Sequence, residues 1–254
     1  MQHQVVSREE WLAARKALLT KEKEWTRQRD ALSEERRAMP WVRIDKDYVF
    51  DGPNGRETLG DLFAGRSQLI IKHFMLAPGW TDPCVGCSFQ SDHIDAVLVH
   101  LEHHDVSYVA VARAPLAQID SVKRRMGWHF TWVSSYGSDF NYDFNVSFTP
   151  EQIAAGKATY NYREGAGPIE EMSGLSVFYK DESGAIFHTY STFGRGTELS
   201  LGIYGLLDLA PKGRNETERG NLTDWVKLHD RYDGAGYADA GGRWHAQPDG
   251  ECCR

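Results

Sequence analysis

Two short stretches, LIIKHFM at 69–75 and VSYVAVA at 106–112, run apolar without the alternation that a half-exposed strand would show. A strand that is apolar on both faces has to be covered on both, which is the situation of a parallel sheet sandwiched between helices. From Trp41 onward, Gly, Pro and Asp interrupt short apolar runs at the spacing of alternating strands and helices. An α/β fold with a central mixed sheet flanked by helices is therefore expected.

The remaining pieces fit that frame. A short strand is expected at Tyr48 and Phe50, a turn at Asp51 to Gly55 and a short helix near Leu59 to Phe63. Further helices are expected over 88–104 and Pro115 to Arg125, with a third buried strand at Phe130 to Val133. Residues 135–170, rich in Tyr, Asn, Gly and Asp, read as a long insertion with little repetitive structure. Strands at Leu175 to Tyr179 and Ala185 to Tyr190, joined by a turn at Ser183-Gly184, read as an antiparallel hairpin. A helix is expected at Leu199 to Leu207 and another around Leu222 to His229. The organisation is a helical arm over 1–39, a domain over 40–210 and a polar, mobile extension over 211–254.

The arm begins at Ser7, which stands three residues before Glu10 in capping-box spacing, and runs without Gly or Pro up to Pro40. Trp11, Leu18, Trp25, Leu32 and Met39 recur every seven residues, but the second seam of a coiled coil is occupied by Ala14, Lys21 and Gln28. This is a thin stripe on one charged helix, or on two helices broken near Thr20. Such a stripe suits an arm lying on the domain or on a partner subunit, and through it a homodimer.

Composition removes several function classes. The 254 residues carry 29 basic against 36 acidic side chains, a net charge of -7, with no basic stripe, so neither duplex nucleic acid nor an anionic membrane is an expected partner. No apolar run exceeds a strand's length, and the first residues lack the basic-then-apolar pattern of a secretion signal. A cytoplasmic location is expected, where thiols face a reducing pool. A chain this long buries its core without disulfide staples, so its four cysteines are to be explained by chemistry.

Cys84-Val85-Gly86-Cys87 follows the first buried strand and stands directly before a helix. A CxxC at a strand-to-helix junction favours redox chemistry, because the helix amino end offers unpaired N–H groups and positive potential to a thiolate while the two-residue spacer brings both sulfurs within bonding reach. Cys87 falls on the apolar face with Ile94, Val97, Leu98 and Leu101, so it is the expected sheltered, resolving thiol and Cys84 the exposed attacker. Lys72 and His73 interrupt the apolar strand, and either could take the proton of Cys87. His93, His100 and His104 form a line about 120° away from Cys87 on an ideal helix and are not expected to share an ion with it. Adjacent Cys252 and Cys253 cannot readily bridge and are not expected to act at the site.

The order strand, CxxC, helix, strand, helix, hairpin, helix is similar to the thioredoxin fold. The chain also resembles a bacterial thioredoxin-like family, domain-of-unknown-function family 899, described as predicted dithiol-disulfide oxidoreductases. The resemblance lies in VSREEWLAARKALLTKEKEWTRQRDAL, in HFMLAPGW through CVGCSFQSDHID, in GLSVFYKD and in HTYSTFGRG, and spans most of residues 5–235. It implies a redox-active disulfide formed by Cys84 and Cys87, no cofactor, and a protein or small-molecule disulfide as substrate. Ordinary thioredoxins place Trp directly before the first Cys, whereas here Pro83 does so and Trp80 lies four residues upstream. Where thioredoxins carry a cis-proline before the strand facing the motif, this chain reads Ser173-Gly174, and Pro168 is too distant to serve.

In such a sheet the ligand site lies at the carboxyl ends of the parallel strands. That nominates His73, Arg113 as a thiolate or anion partner, Ser134 and Ser135, and, if the hairpin runs as in thioredoxins, Thr192 and Arg195. Three other functions compete. Thr81-x-x-Cys84 matches the Thr-to-Cys spacing of peroxiredoxins, and Trp41 to Phe74 resembles their amino-terminal region, which would make a peroxide the substrate, although their upstream proline falls on Ala77 rather than Pro78. Copper or zinc could instead be held by Cys84, Cys87 and a distant His188 or His73. Lastly, the aromatic insertion with Trp128, Trp132, Tyr136, Phe140, Tyr142 and Phe144 could form a partner or subunit surface.

Overall fold

The computed structural model describes residues 3–165, 169–214, 225–232, 236–238 and 244–246, in two units, 1–41 and 42–254. Pro168, Cys252, Cys253 and much of the expected mobile extension lie outside the described residues. Among the described residues no helix is long and apolar enough to cross a membrane.

The first unit is one unbroken helix, α1 (Arg8–Arg37), so the alternative break near Thr20 is not seen. Its start is the expected capping box. The Glu10 N–H donates to Ser7 Oγ at 3.2 Å, and the Ser7 N–H donates to the Glu10 carboxylate at 2.9 Å. Glu9 and Glu10 in the first turn and Arg36 and Arg37 in the last complement the helix dipole. No residue of α1 is buried, and Trp25 remains 61% exposed.

The second unit carries an eight-stranded sheet. Its strands are β1 (Val42–Arg43), β2 (Val49–Gly52), β3 (Gly55–Thr58), β4 (Gln68–His73), β5 (Val106–Ala112), β6 (Thr131–Ser134), β9 (Gly174–Lys180) and β10 (Ile186–Phe193). A ribbon of the two-residue strands β7 (Thr159–Tyr160) and β8 (Arg163–Glu164) and another of the three-residue strands β11 (Gly236–Ala238) and β12 (Trp244–Ala246) form separate sheets. The order is β1-β10-β9-β4-β5-β6-β2-β3, with β4, β5 and β6 parallel and β9 and β10 antiparallel. The central β10-β9-β4-β5 quartet, with α2 (Val85–Ser91) and α3 (Leu98–His103) between β4 and β5 and α7 (Gly202–Leu209) after β10, is the thioredoxin-like order expected from the sequence. The β2–β3 hairpin and edge strand β1 extend it.

Both apolar strands are covered on both faces, as their composition demands. On one face Phe74, Ala110 and Ala112 pack with Cys87, Ile119, Trp128 and Trp132 under α2 and α4 (Leu116–Met126). On the other, Leu69, Ile71, Val109 and Val111 meet Phe50, Phe63, Phe140 and Phe178. Each fully buried side chain of this size contributes about 1.5–3 kcal/mol relative to exposure.

Three expectations change. The helix over 88–104 is broken into α2, a 3-10 turn at Asp95–Val97 and α3. Carboxylates drawn to the strand ahead of them account for the break: Asp92 accepts the Trp128 indole N–H at 2.8 Å, and Asp95 accepts the backbone N–H groups of His129 and Phe130. The insertion holds only α5 (Phe140–Asp143), α6 (Pro150–Ala154) and the β7–β8 ribbon, yet its aromatic residues are core rather than partner surface. Phe140, Trp128 and Trp132 are buried, and Phe140 meets the rings of Tyr48 and Phe50 at 5.0 Å, while Tyr136 stays exposed. Residues 225–228 are not helical, and 229–231 form a 3-10 turn.

Gly174 opens β9 opposite His73 of β4 and Phe193 of β10. A Cβ there would stand 2.6 Å from the Phe193 ring and 3.3 Å from the Thr192 carbonyl oxygen. Gly174→Ala is expected to lower unfolding free energy by about 1–3 kcal/mol in a urea titration; an unchanged midpoint would show that Phe193 moves aside freely.

Candidate active site

Strand pairing continues past His73, since the Phe74 N–H donates to the Val111 carbonyl and the Ala114 N–H to the Leu76 carbonyl. The loop from Ala77 to Pro83 is then fixed from outside. Gln118 on α4 donates to the carbonyls of Ala77 and Trp80 at 3.2 and 2.8 Å and accepts from Gly79. Arg125 and Arg231 hold the carboxylate of Asp82 at 3.0 and 2.6 Å. Cys84 is thereby delivered to the amino end of α2, where its sulfur accepts the Cys87 N–H at 3.4 Å and its carbonyl accepts the Ser88 hydroxyl. The two cysteines are free thiols, Cys84 half-buried and Cys87 1% exposed.

One residue serves both cysteines. The Met75 N–H donates to Cys87 Sγ at 3.5 Å, and the Met75 carbonyl accepts the Cys84 N–H at 3.2 Å. Lys72, which exposes no surface, points to the same face of the sheet. Its ammonium donates to Gln90 Oε1 and, at 2.5 Å, to Ser173 Oγ. Gln90 donates in turn to Ser200 Oγ. The Ser173 carbonyl accepts the Tyr160 hydroxyl at 2.7 Å, and that hydroxyl accepts the Gly194 N–H.

These donors set the charge of the pair. Burial pushes the Cys87 thiol up, but the hydrogen bond from Cys84, the Lys72 charge, the Met75 N–H and the Ser173 hydroxyl outweigh it and bring Cys87 down to about 5. The hydrogen bond to Cys87, followed by burial, pushes Cys84 well above its ordinary value. Burial likewise lifts Tyr160 to about 12. The shifts thus run opposite to the expectation of a lowered thiol at Cys84, since the charge and donors named above act on Cys87, one turn deeper than the start of a helix only seven residues long.

The family model for a bacterial protein of unknown function, DUF899, matches residues 1–232. The chain belongs to that family. No curated protein matches it. Among solved structures, this DUF899 chain is similar to a cysteine-to-serine mutant of PrxQ from Xylella fastidiosa, with TM-score 0.42 and 14% identity over 65% of this chain and 94% of that one. It is also similar to the peroxidoxin BcpB from Mycobacterium tuberculosis, with TM-score 0.43 and 11% identity over 65% and 94%. For the mitochondrial 2-cys peroxiredoxin from Plasmodium falciparum the values are 0.39 and 12% over 66% and 92%.

Of the residues nominated from sequence, the DUF899 structure gathers Cys84, Cys87 and Lys72, with the Trp80 ring packed on the same cluster and its N–H donated to Glu170 at 3.1 Å. Thr81 is exposed. Arg113 is not a thiolate partner: it is bound to the buried carboxylate of Glu171, to Glu170 and to the Tyr142 hydroxyl. Arg195 pairs with Glu198. The alternation of β4 sends His73 to the opposite face from Lys72, and His188 lies there as well, so neither completes a metal site with the cysteines. Among the described residues no three His, Cys, Asp or Glu side chains converge on one point. Gln90, Ser173, Tyr160 and Gln118 were not nominated. Gln90 had a legible signal, a polar side chain three residues after Cys87 on the helix's buried side.

His73 has its own surroundings. Its Nε2 bonds Ser176 Oγ at 2.7 Å, Ser176 bonds Ser191, and Ser191 bonds His188, while Nδ1 has no partner and the ring stacks on Phe140 and Phe144. Burial, followed by the charges of Lys72 and His188, drives His73 down to about 3. Because the native state refuses a proton that the unfolded chain accepts near 6.5, this stability is complete above that pH and is lost as pH falls toward 3. The loss should approach about 1.4 kcal/mol per pH unit in that window. Urea titrations at pH 7, 6, 5 and 4 should show a shallower acid decline for His73→Gln; parallel declines would exclude His73 as the source.

Proposed function

We propose that this protein is a dithiol-disulfide oxidoreductase in which Cys84 attacks a substrate disulfide and Cys87 resolves the adduct. The observation that carries it is a pair of free thiols at the start of α2, joined by the Cys87 N–H donating to Cys84 Sγ, one reachable and one 1% exposed. Only Cys84 can meet a substrate sulfur, and only Cys87 stands ready behind it. This accessibility also separates the roles more clearly than the two-residue spacing does.

The step balances without a cofactor. Cys84 passes its proton to the neighbouring Cys87 sulfur, and its thiolate, still accepting the Cys87 N–H, attacks one sulfur of the substrate disulfide. That S–S bond breaks, and the second substrate sulfur leaves as a thiolate and takes the proton from Cys87. Cys87 then attacks Cys84 Sγ, forming the intramolecular disulfide and expelling the first substrate sulfur as a thiolate. Two electrons have passed from the dithiol to the substrate, and an external thiol resets the pair. The cycle suits a reducing compartment such as the cytoplasm and a protein or small-molecule disulfide as partner.

Alkylation mass shift across a graded glutathione series, with bound metal measured on the same sample, tests this. Reversible two-electron closure of Cys84 with Cys87 is expected, with no turnover in Cys84→Ser and an accumulating mixed disulfide in Cys87→Ser. Peroxide consumption faster than disulfide reduction would make the protein a thiol peroxidase. A pair that never closes, or closes only after stoichiometric copper or zinc is stripped, would overturn the assignment.

A further inference from the structure

Lys72 is an ammonium with no exposed surface, and its hydrogen-bond partners, Gln90 Oε1 and Ser173 Oγ, are both neutral. No Asp or Glu among the described residues forms an ion pair with it. Burying a cation costs several kcal/mol unless an anion accompanies it. The groups that face it narrow the choice. From α2 come Cys84, Cys87 and Gln90, from the loop before β9 comes Ser173, and the phenols nearest the pair are Tyr108 on β5 and Tyr160 on β7. Burial holds both phenols protonated, and His73 projects from the other face of the sheet. Among the described residues that face it, the sulfurs remain to carry negative charge.

Between the sulfurs, burial and position decide. Cys87 is 1% exposed, stands one helical turn before the Gln90 side chain that Lys72 holds and accepts the Met75 N–H, whereas Cys84 is partly exposed at the start of the helix and accepts the Cys87 N–H. We infer that Lys72 is a positioning residue whose ammonium is the counter-ion of a Cys87 thiolate, so that the reduced pair keeps its negative charge on the buried sulfur and its proton on Cys84. The inference rests on Cys84 and Cys87 being the working dithiol for its consequence, but the charge itself can be read without any substrate.

Two consequences follow from electrostatics. The resolving sulfur is kept as a thiolate by a fixed buried positive charge, so mixed disulfides on Cys84 are short-lived and deprotonation of Cys84 is the slower event. Disulfide formation also removes the anion that Lys72 was paired with, so the ammonium favours the reduced pair and makes the protein a stronger oxidant than the same dithiol without it.

The test is a thiolate titration by absorbance at 240 nm on the full reduced chain, with the oxidised chain as blank. Wild type should hold one thiolate at pH 7. Lys72→Met should hold at least tenfold less, and Lys72→Arg should restore most of it. In glutathione buffers at pH 7, Lys72→Met should close at least tenfold more favourably, about 30 mV more reducing. A full thiolate and an unchanged equilibrium in a folded Lys72→Met would overturn the inference. Should that variant fail to fold, the serine variants decide: the thiolate should persist in Cys84→Ser and vanish in Cys87→Ser, and the reverse pattern would overturn it. Disulfide exchange can fail while these titrations succeed, and the converse holds as well.

Discussion

The two hydrogen bonds of Met75 tie the dithiol to the sheet, and the site exists because the pairing of β4 continues past His73 on both sides of Met75. That strand is held by β5 on one side and β9 on the other, in register along its whole length. Its rigidity passes through Met75 into the loop, which Gln118, Arg125 and Arg231 then fix from the helical side. Cysteines two residues apart on a loose segment would meet only occasionally. Here the N–H of one and the sulfur of the other are both bonded to the same residue, two positions beyond the central strand.

Alternation along β4 does the rest of the sorting. Lys72 and His73 look equivalent in sequence, two ionisable residues at the end of an apolar run, yet the pleat sends them to opposite faces. Lys72 reaches the dithiol and the hydroxyl of Ser173, while His73 is sealed under Phe140 and Phe144 and joined to His188 through two serines. The same alternation removes His188 from the cysteines. A metal held by Cys84, Cys87 and either His73 or His188 would need side chains from both faces of one sheet.

Much of this was legible in the sequence, for identifiable reasons. Unbroken apolar runs fixed β4 and β5 as doubly covered strands, the Ser7–Glu10 spacing fixed the start of α1, and the CxxC stood where a strand gives way to a helix. The break after α2 was not legible, because it depends on Asp92 and Asp95 finding partners at Trp128, His129 and Phe130, more than thirty residues away. Arg113 misled for a related reason. Its position at the end of β5 was right, but the buried carboxylate of Glu171 that claims it arrives from beyond the insertion. The aromatic insertion read equally well as a surface until Tyr48 and Phe50 were seen to meet Phe140.

Ser173-Gly174 shows how one dipeptide can answer two demands. Gly174 is required where β9 passes the Phe193 ring, since any Cβ there collides with it. Its neighbour then enters the site with a carbonyl fixed by Tyr160 and a hydroxyl free to meet Lys72. A proline at this position would supply shape but no side-chain donor or acceptor. Serine instead joins the strand facing the dithiol to the hydrogen-bond network of the buried ammonium. The position expected to present a proline in thioredoxins here binds the buried ammonium instead, so the loop before β9 is tied to α2 through Lys72 and Gln90.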